Sequence, residues 1–159
     1  MQVPIRYSVL AMKIVIQRVH SASVAVDDTT VGAIEHGLLL YVGFGLADST
    51  VSFDKAIAKI VSLRLFPGEQ GRFDRSLSEL SEVSKLLIVS QFTLYASISK
   101  GRRPDFFDAK PPNEAKALYE AFVATARSIL PGRVETGVFG AHMIVSARND
   151  GPVTLLTEW

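Results

Sequence analysis

Cysteine is absent from the 159-residue chain, which excludes a disulfide framework, a thiol nucleophile and a thiolate metal site, and fits a reducing compartment. Excess charge is scarce as well. Seventeen Lys and Arg stand against sixteen Asp and Glu, leaving a net +1, so any RNA contact has to be a local patch rather than a whole-surface field. No apolar run is long enough to cross a bilayer, and Met1 to Ala11 lack the apolar core and small-residue cleavage site of a secretory signal. The three histidines, His20, His36 and His142, stand singly and offer no spacing for a metal site. A Gly-x-Ser-x-Gly elbow is also missing, and no His or acid stands at a spacing that identifies a catalytic triad. The expectation is a cytoplasmic, soluble protein with no membrane segment, no metal and no cofactor.

What is present suits one globular domain. At this length a single core should bury roughly two-thirds of the unfolded surface, and 48% hydrophobic with 21% charged residues is near the globular norm. Met12 leads directly into a strand pattern, so residues 1–11 read as an N-terminal extension and 12–159 as the domain. Lys13 to Val19 alternates with both faces mostly apolar, which puts Arg18 either inside, where it needs a partner, or at a strand end on the surface. Ala22 to Val26 and Thr30 to Ile34 read as two further strands around an Asp27-Asp28-Thr29 turn. The unbroken apolar runs Leu38 to Phe44 and Leu86 to Val89 read as strands buried on both faces. Asp48 and Ser49 are candidate caps of a helix carrying Phe53, Ile57, Ile60, Val61 and Arg64. A second helix starts at Pro111-Pro112-Asn113 and stops at Pro131-Gly132. With Val134 to Val138, His142 to Ala147 and Pro152 to Trp159 as strands, the fold class is α+β. It is a single domain with a curled, largely antiparallel sheet or small β-barrel covered by two main helices.

Four stretches carry candidate chemistry. Ser90-Gln91-Phe92-Thr93-Leu94 is polar where a buried strand surfaces. Lys100-Gly101-Arg102-Arg103-Pro104 is a basic loop beside Phe106 and Phe107, read either as a solvated loop or as a clamp on a phosphate backbone. Gly68 to Arg75 is a polar loop with two arginines, again either solvated or a phosphate contact. Asn149-Asp150-Gly151-Pro152-Val153-Thr154 has the composition of a hairpin turn. A Gly-Pro pair can also take a shape other residues resist, since Gly tolerates positive φ and an X-Pro bond can be cis at a cost of about 0.5 to 1 kcal/mol.

Taken together, Ser90 to Leu94 and Asn149 to Thr154 resemble the two signature motifs of the D-aminoacyl-tRNA deacylase family. Ile16-Gln17-Arg18-Val19, Gly101-Arg102-Arg103-Pro104, Ala117-Leu118-Tyr119 with Phe122, and Gly137-Val138-Phe139-Gly140-Ala141 stand in that family's order. The resemblance runs from Met12 to the C-terminus, with Ala147-Arg148 more polar than the family's usual strand there. It implies an enzyme that hydrolyses the ester of D-aminoacyl-tRNA, and of glycyl-tRNA mischarged on tRNA(Ala), as chirality proofreading in translation. It also implies a homodimer in which a cis Gly151-Pro152 bond enters the partner's site, with Val153 and Asn149 in the same filter, and rejects L-substrates. Arg18 matches the residue that braces this motif. Ser90, Gln91, Phe92 and Thr93 would line the ester, mainly through backbone N–H groups that receive the oxyanion, with attack by water assisted by the tRNA's own 2'-hydroxyl. Thr93 and Thr154 stand where an older proposal placed a Thr nucleophile. Lys100, Arg102 and Arg103 become tRNA contacts. The alternative of another class is a catalytically silent module that binds an RNA end or an amino acid.

Overall fold

A computed structural model describes residues 12–159, so the extension expected at 1–11 lies outside the described residues. The spine is β1 (Lys13–Val26), a single strand where the sequence suggested two. One edge of β1 pairs antiparallel first with β3 (His36–Gly43), from Lys13 to Val19, and then with β2 (Thr29–Ile34), from Ala22 to Val26. Its other edge carries β8 (Ile144–Glu158) along nearly its whole length, also antiparallel. Beyond β3 the sheet turns parallel, through β6 (Ser84–Ser90) to β7 (Val134–Thr136). The sheet is therefore mixed, with its antiparallel ladders gathered around β1. It curls until β2 meets β7: a Cβ added to Gly32 would lie 2.2 Å from the Thr136 carbonyl oxygen. The result is a nearly closed barrel-like sheet.

The continuous apolar strands are explained by two cores. Leu38, Leu40, Val42, Leu86 and Ile88 pack with Ile14 and Ile16 under the two helices, whereas Leu39, Leu87 and Val89 pack with Val19, Ala22 and Val24 inside the curl. Side chains alternate between faces, so a strand covered on both sides has no polar position to spare. Helix α1 (Phe53–Ser62) buries Phe53, Ala56, Ile57, Ile60 and Val61, and α2 (Pro112–Ile129) buries Ala115, Tyr119, Phe122, Val123 and Ala126. Phe53 and Phe122 meet edge to face at 5.3 Å, which joins the helices. The Tyr119 hydroxyl donates to the Ile88 carbonyl at 2.8 Å, and burial pushes its pKa up to about 12. No helix among the described residues is long and apolar enough to cross a membrane.

Four expectations are corrected. Neither Asp48 nor Ser49 caps α1: a 3-10 turn over Thr50–Ser52 intervenes, and the Asp48 carboxylate instead accepts the Gly45 N–H at 2.6 Å. Arg64 is not on that helix; it opens β4 (Arg64–Gly68), which pairs with β5 (Gly71–Ser76). The polar Gly68 to Arg75 stretch is thus largely a hairpin rather than a loop. Lastly, the turn composition at 149–154 does not end a strand, because β8 runs straight through it.

Candidate functional site

At the C-terminal ends of the parallel strands β3 and β6 lies a cavity of about 690 Å³. Its floor is Val42, Gly43 and Val89 to Phe92, and its walls come from Ala109 to Pro112 and Phe139 to Met143. The Gln91 N–H continues the ladder with a 2.8 Å bond to the Val42 carbonyl, after which the chain leaves the sheet in a 3-10 turn, Phe92–Tyr95. The leading N–H groups of such a turn, here those of Phe92 and Thr93, have no acceptor within it. Close approach fixes the turn against β3: a Cβ on Gly43 would lie 2.7 Å from the Gln91 carbonyl oxygen. From beneath, the Lys13 ammonium lies 4.8 Å over the Tyr95 ring, and the Tyr95 hydroxyl lies 3.5 Å from Asp48. Burial, aided by that carboxylate, drives the Tyr95 pKa well above its usual range. Burial also raises the Asp48 carboxyl, against the opposing pull of the Gly45 N–H. At the mouth, Phe92 is exposed and meets Phe106 edge to face at 5.0 Å. The Gln91 side-chain amide donates to the Thr93 hydroxyl.

The second place is a bulge in β8. Gln17 pairs with Thr154 and Val19 with Asn149, so Arg18 alone faces Asp150, Gly151, Pro152 and Val153. Surplus residues on one strand have to leave the ladder. The bulge is tied at both ends. The Asn149 amide donates to the Thr154 hydroxyl at 3.1 Å, which also accepts from Gln17 at 3.3 Å. Arg18 is 6% exposed and donates through Nη1 to the Leu65 carbonyl at 2.6 Å. Its Nε lies 3.0 Å from Asp150 Oδ2 without hydrogen-bond alignment, so that contact is an ion pair. His20 adds a 3.5 Å contact to the other Asp150 oxygen, and the Phe73 ring of β5 lies 6.0 Å from the guanidinium carbon. Gly151 has φ +122, its peptide to Pro152 is cis, and both residues are exposed at the crest.

These two places are apart in one chain. Arg18 is level with Leu38 and Leu86, whereas Ser90 is four residues further along β6, about 13 Å at strand rise. No residue from Asn149 to Thr154 lines the cavity. The basic loop lies near the cavity mouth, pinched shut by an antiparallel bridge between Ser97 and Asp105. Lys100, Arg102 and Arg103 are exposed there, and among the described residues no carboxylate pairs with them. His142 lines the cavity, and among the described residues no group of three His, Asp or Glu is placed to hold a metal ion.

A family model described as D-Tyr-tRNA(Tyr) deacylase matches residues 15–158. The chain belongs to that family. It is 53% identical to the D-aminoacyl-tRNA deacylase of Solidesulfovibrio magneticus, with 92% of this chain and 95% of that protein covered. It is 49% identical to the one from Thermosipho africanus, covering 92% and 97%. Among solved structures, a c-Myc DNA Unwinding Element Binding Protein aligns with a TM-score of 0.84 at 36% identity, over 92% of this chain and 98% of that one. A second, described as a probable eukaryotic D-amino acid tRNA deacylase, has a TM-score of 0.81 at 20% identity, over 94% and 100%, and shows the fold alone.

Several residues around the deacylase motifs carry no sequence signal of their own. Met143 looks like an ordinary apolar residue, and Lys110 looks like a helix-start cation. Phe73 reads as part of a polar loop until the β4–β5 hairpin sets it against Arg18.

Proposed function

We propose that this chain hydrolyses the ester joining a D-amino acid to the 3'-terminal adenosine of tRNA, and the corresponding glycyl ester on tRNA(Ala), in the cytoplasm. The domain doing so is 12–159. The observation that carries the reading is the pair of motifs in two separate settings. Ser90 to Thr93 border a cavity large enough for an aminoacyl-adenosine, while Gly151-Pro152 is braced, exposed and turned to other company.

A homodimer resolves that separation, with the crest of one subunit entering the cavity of the other. Support comes from β8, whose only strand partner among the described residues is β1, and which leaves Ile144 and Leu156 exposed. A long open edge with exposed apolar residues is normally covered. In the shared site, the crest carbonyls of Gly151 and Pro152 receive the substrate's α-ammonium and occupy the space an L side chain needs, with Asn149 and Val153 holding the crest. Glycine has no side chain to reject, so its ester passes. Water attacks the ester carbonyl carbon, assisted by the tRNA 2'-hydroxyl. The Phe92 and Thr93 N–H groups take the developing oxyanion, and the ribose 3'-oxygen leaves with a proton, giving free amino acid and tRNA. Ser90, Gln91, Thr93 and Thr154 then serve by shape and backbone rather than as nucleophiles. The Thr154 hydroxyl is already committed to two amide donors. Lys100, Arg102 and Arg103 hold the RNA.

The test is release of amino acid from matched D- and L-tyrosyl-tRNA with protein far below substrate. Many turnovers on the D ester and near none on the L ester are expected. Binding without turnover would overturn the reading and leave a silent RNA-end module.

A further inference from the structure

Phe107 is 84% exposed, more than any other large apolar side chain among the described residues. It makes no ring contact among the described residues, yet its neighbour Phe106 lines the cavity mouth against Phe92. The backbone that presents it is fixed on both sides. Ser97 and Asp105 exchange N–H to carbonyl bonds of 2.9 and 3.0 Å, the Ala109 N–H bonds the Phe106 carbonyl at 3.1 Å, and the Lys110 N–H bonds the Phe44 carbonyl at 2.9 Å. A large apolar ring held out in water by a rigid loop marks a contact surface. The same loop carries Lys100, Arg102 and Arg103 against Asp105 and Asp108.

We infer that Phe107 is a stacking platform for the base that precedes the terminal adenosine, with the loop cations on the adjoining phosphates. Aromatic faces beside unpaired cations are the usual chemistry for single-stranded RNA, and every base has a face to stack, so the platform would serve any tRNA with the same 3' end. Rigid presentation keeps the entropic cost of binding low. A second copy fits this loop less well, since a two-fold contact centred on it would set three cations against their own duplicates. The inference rests on the proposal that the cavity takes the terminal aminoacyl-adenosine.

The experiment compares Phe107→Ala with the unaltered protein on two substrates, D-tyrosyl-tRNA and the D-tyrosyl ester of adenosine, which has no preceding base. Because the side chain is exposed, the fold should be untouched. Roughly a fivefold to hundredfold loss in kcat/KM is expected on the tRNA, the range that base–aromatic stacking spans, with no loss on the adenosine ester and recovery in Phe107→Trp. Equal loss on both substrates, or none on the tRNA, overturns the inference. So does a change in sedimentation, which would make Phe107 a subunit contact. Affinity for a short single-stranded RNA with the tRNA 3' sequence gives a readout independent of hydrolysis: Phe107→Ala should weaken it. If the unaltered protein cleaves neither ester, the deacylase reading has failed, while the binding measurement still judges the platform.

Discussion

Replacing Arg18 by Met keeps most of the buried stem and removes the group that ties the β8 bulge to the rest of the fold. Two contacts go: the 2.6 Å bond to the Leu65 carbonyl and the 3.0 Å ion pair to Asp150. A buried hydrogen bond from a charged donor contributes about 1.5 to 3 kcal/mol. Breaking a fully buried ion pair costs about 3 to 5 kcal/mol, but the Asp150 side chain is 27% exposed and can take up water once freed, so only part of that applies. A loss of about 2 to 4 kcal/mol is therefore expected, or roughly a 5 to 15 °C fall in Tm for a domain of this size. The same change should act on selection. Without Arg18 the four bulged residues keep the weaker ties, Asn149 and Gln17 on the Thr154 hydroxyl, His20 beside Asp150 and Val153 against the core, so the crest can yield to an L side chain. Thermal melts and paired rates on D- and L-tyrosyl-tRNA read both effects. The D ester should be cut nearly as before and the L ester faster, with Arg18→Lys intermediate because an ammonium cannot reach both acceptors. If Arg18→Met melts with the unaltered protein and discriminates as sharply, the brace as described is wrong.

Other perturbations probe separate parts of the account. Ser90→Ala, Thr93→Ala and Thr154→Ala should each retain substantial deacylation of D-tyrosyl-tRNA, whereas a tRNA ending in 2'-deoxyadenosine should not be cleaved; abolition by any one hydroxyl deletion would restore a side-chain nucleophile. Gly32→Val should cost about 1 to 3 kcal/mol or more in urea unfolding, because its Cβ would meet the Thr136 carbonyl oxygen at 2.2 Å and pry β2 from β7. His36, bonded to Ser84 and set against Phe66, has its pKa lowered by burial first and by His20 next. The unfolded chain therefore binds a proton that the folded chain refuses, so stability should fall as pH drops below the ordinary value of 6.5. His36→Gln should flatten that part of the Tm profile, and an unchanged slope would remove His36 as its cause.

The parts legible in the sequence are those where one local pattern meets one environment. Leu38 to Phe44 and Leu86 to Val89 are apolar throughout because both faces of each strand are covered, and α2 carries its own stop signals. The misread parts depend on distant partners. His20 and Ser21 look like a break between strands, yet β8 pairs across that point and keeps β1 whole. Gly68 to Arg75 is mostly polar because that part of the hairpin lies in water, so alternation could not mark it as strands. The composition of Asn149 to Thr154 is that of a turn, and the turn chemistry is used, but Arg18 and the flanking ladder hold it as a bulge inside a strand. Family resemblance singles out both motifs without showing that they lie apart in one chain; that comes only from the register.

Mixed dimers test the central claim, a site assembled from two copies, most directly. One chain would carry Ala141→Trp to fill the cavity. The other would carry Gly151→Val, which strains a residue at φ +122 and places its Cβ 2.9 Å from the Val153 side chain. Each variant alone should be inactive on D-tyrosyl-tRNA. Dissociated and reassociated in equal amounts, they should recover about a quarter of the unaltered activity, since half the dimers are mixed and each of those has one complete site. Verified mixed dimers with no recovery would contradict the account.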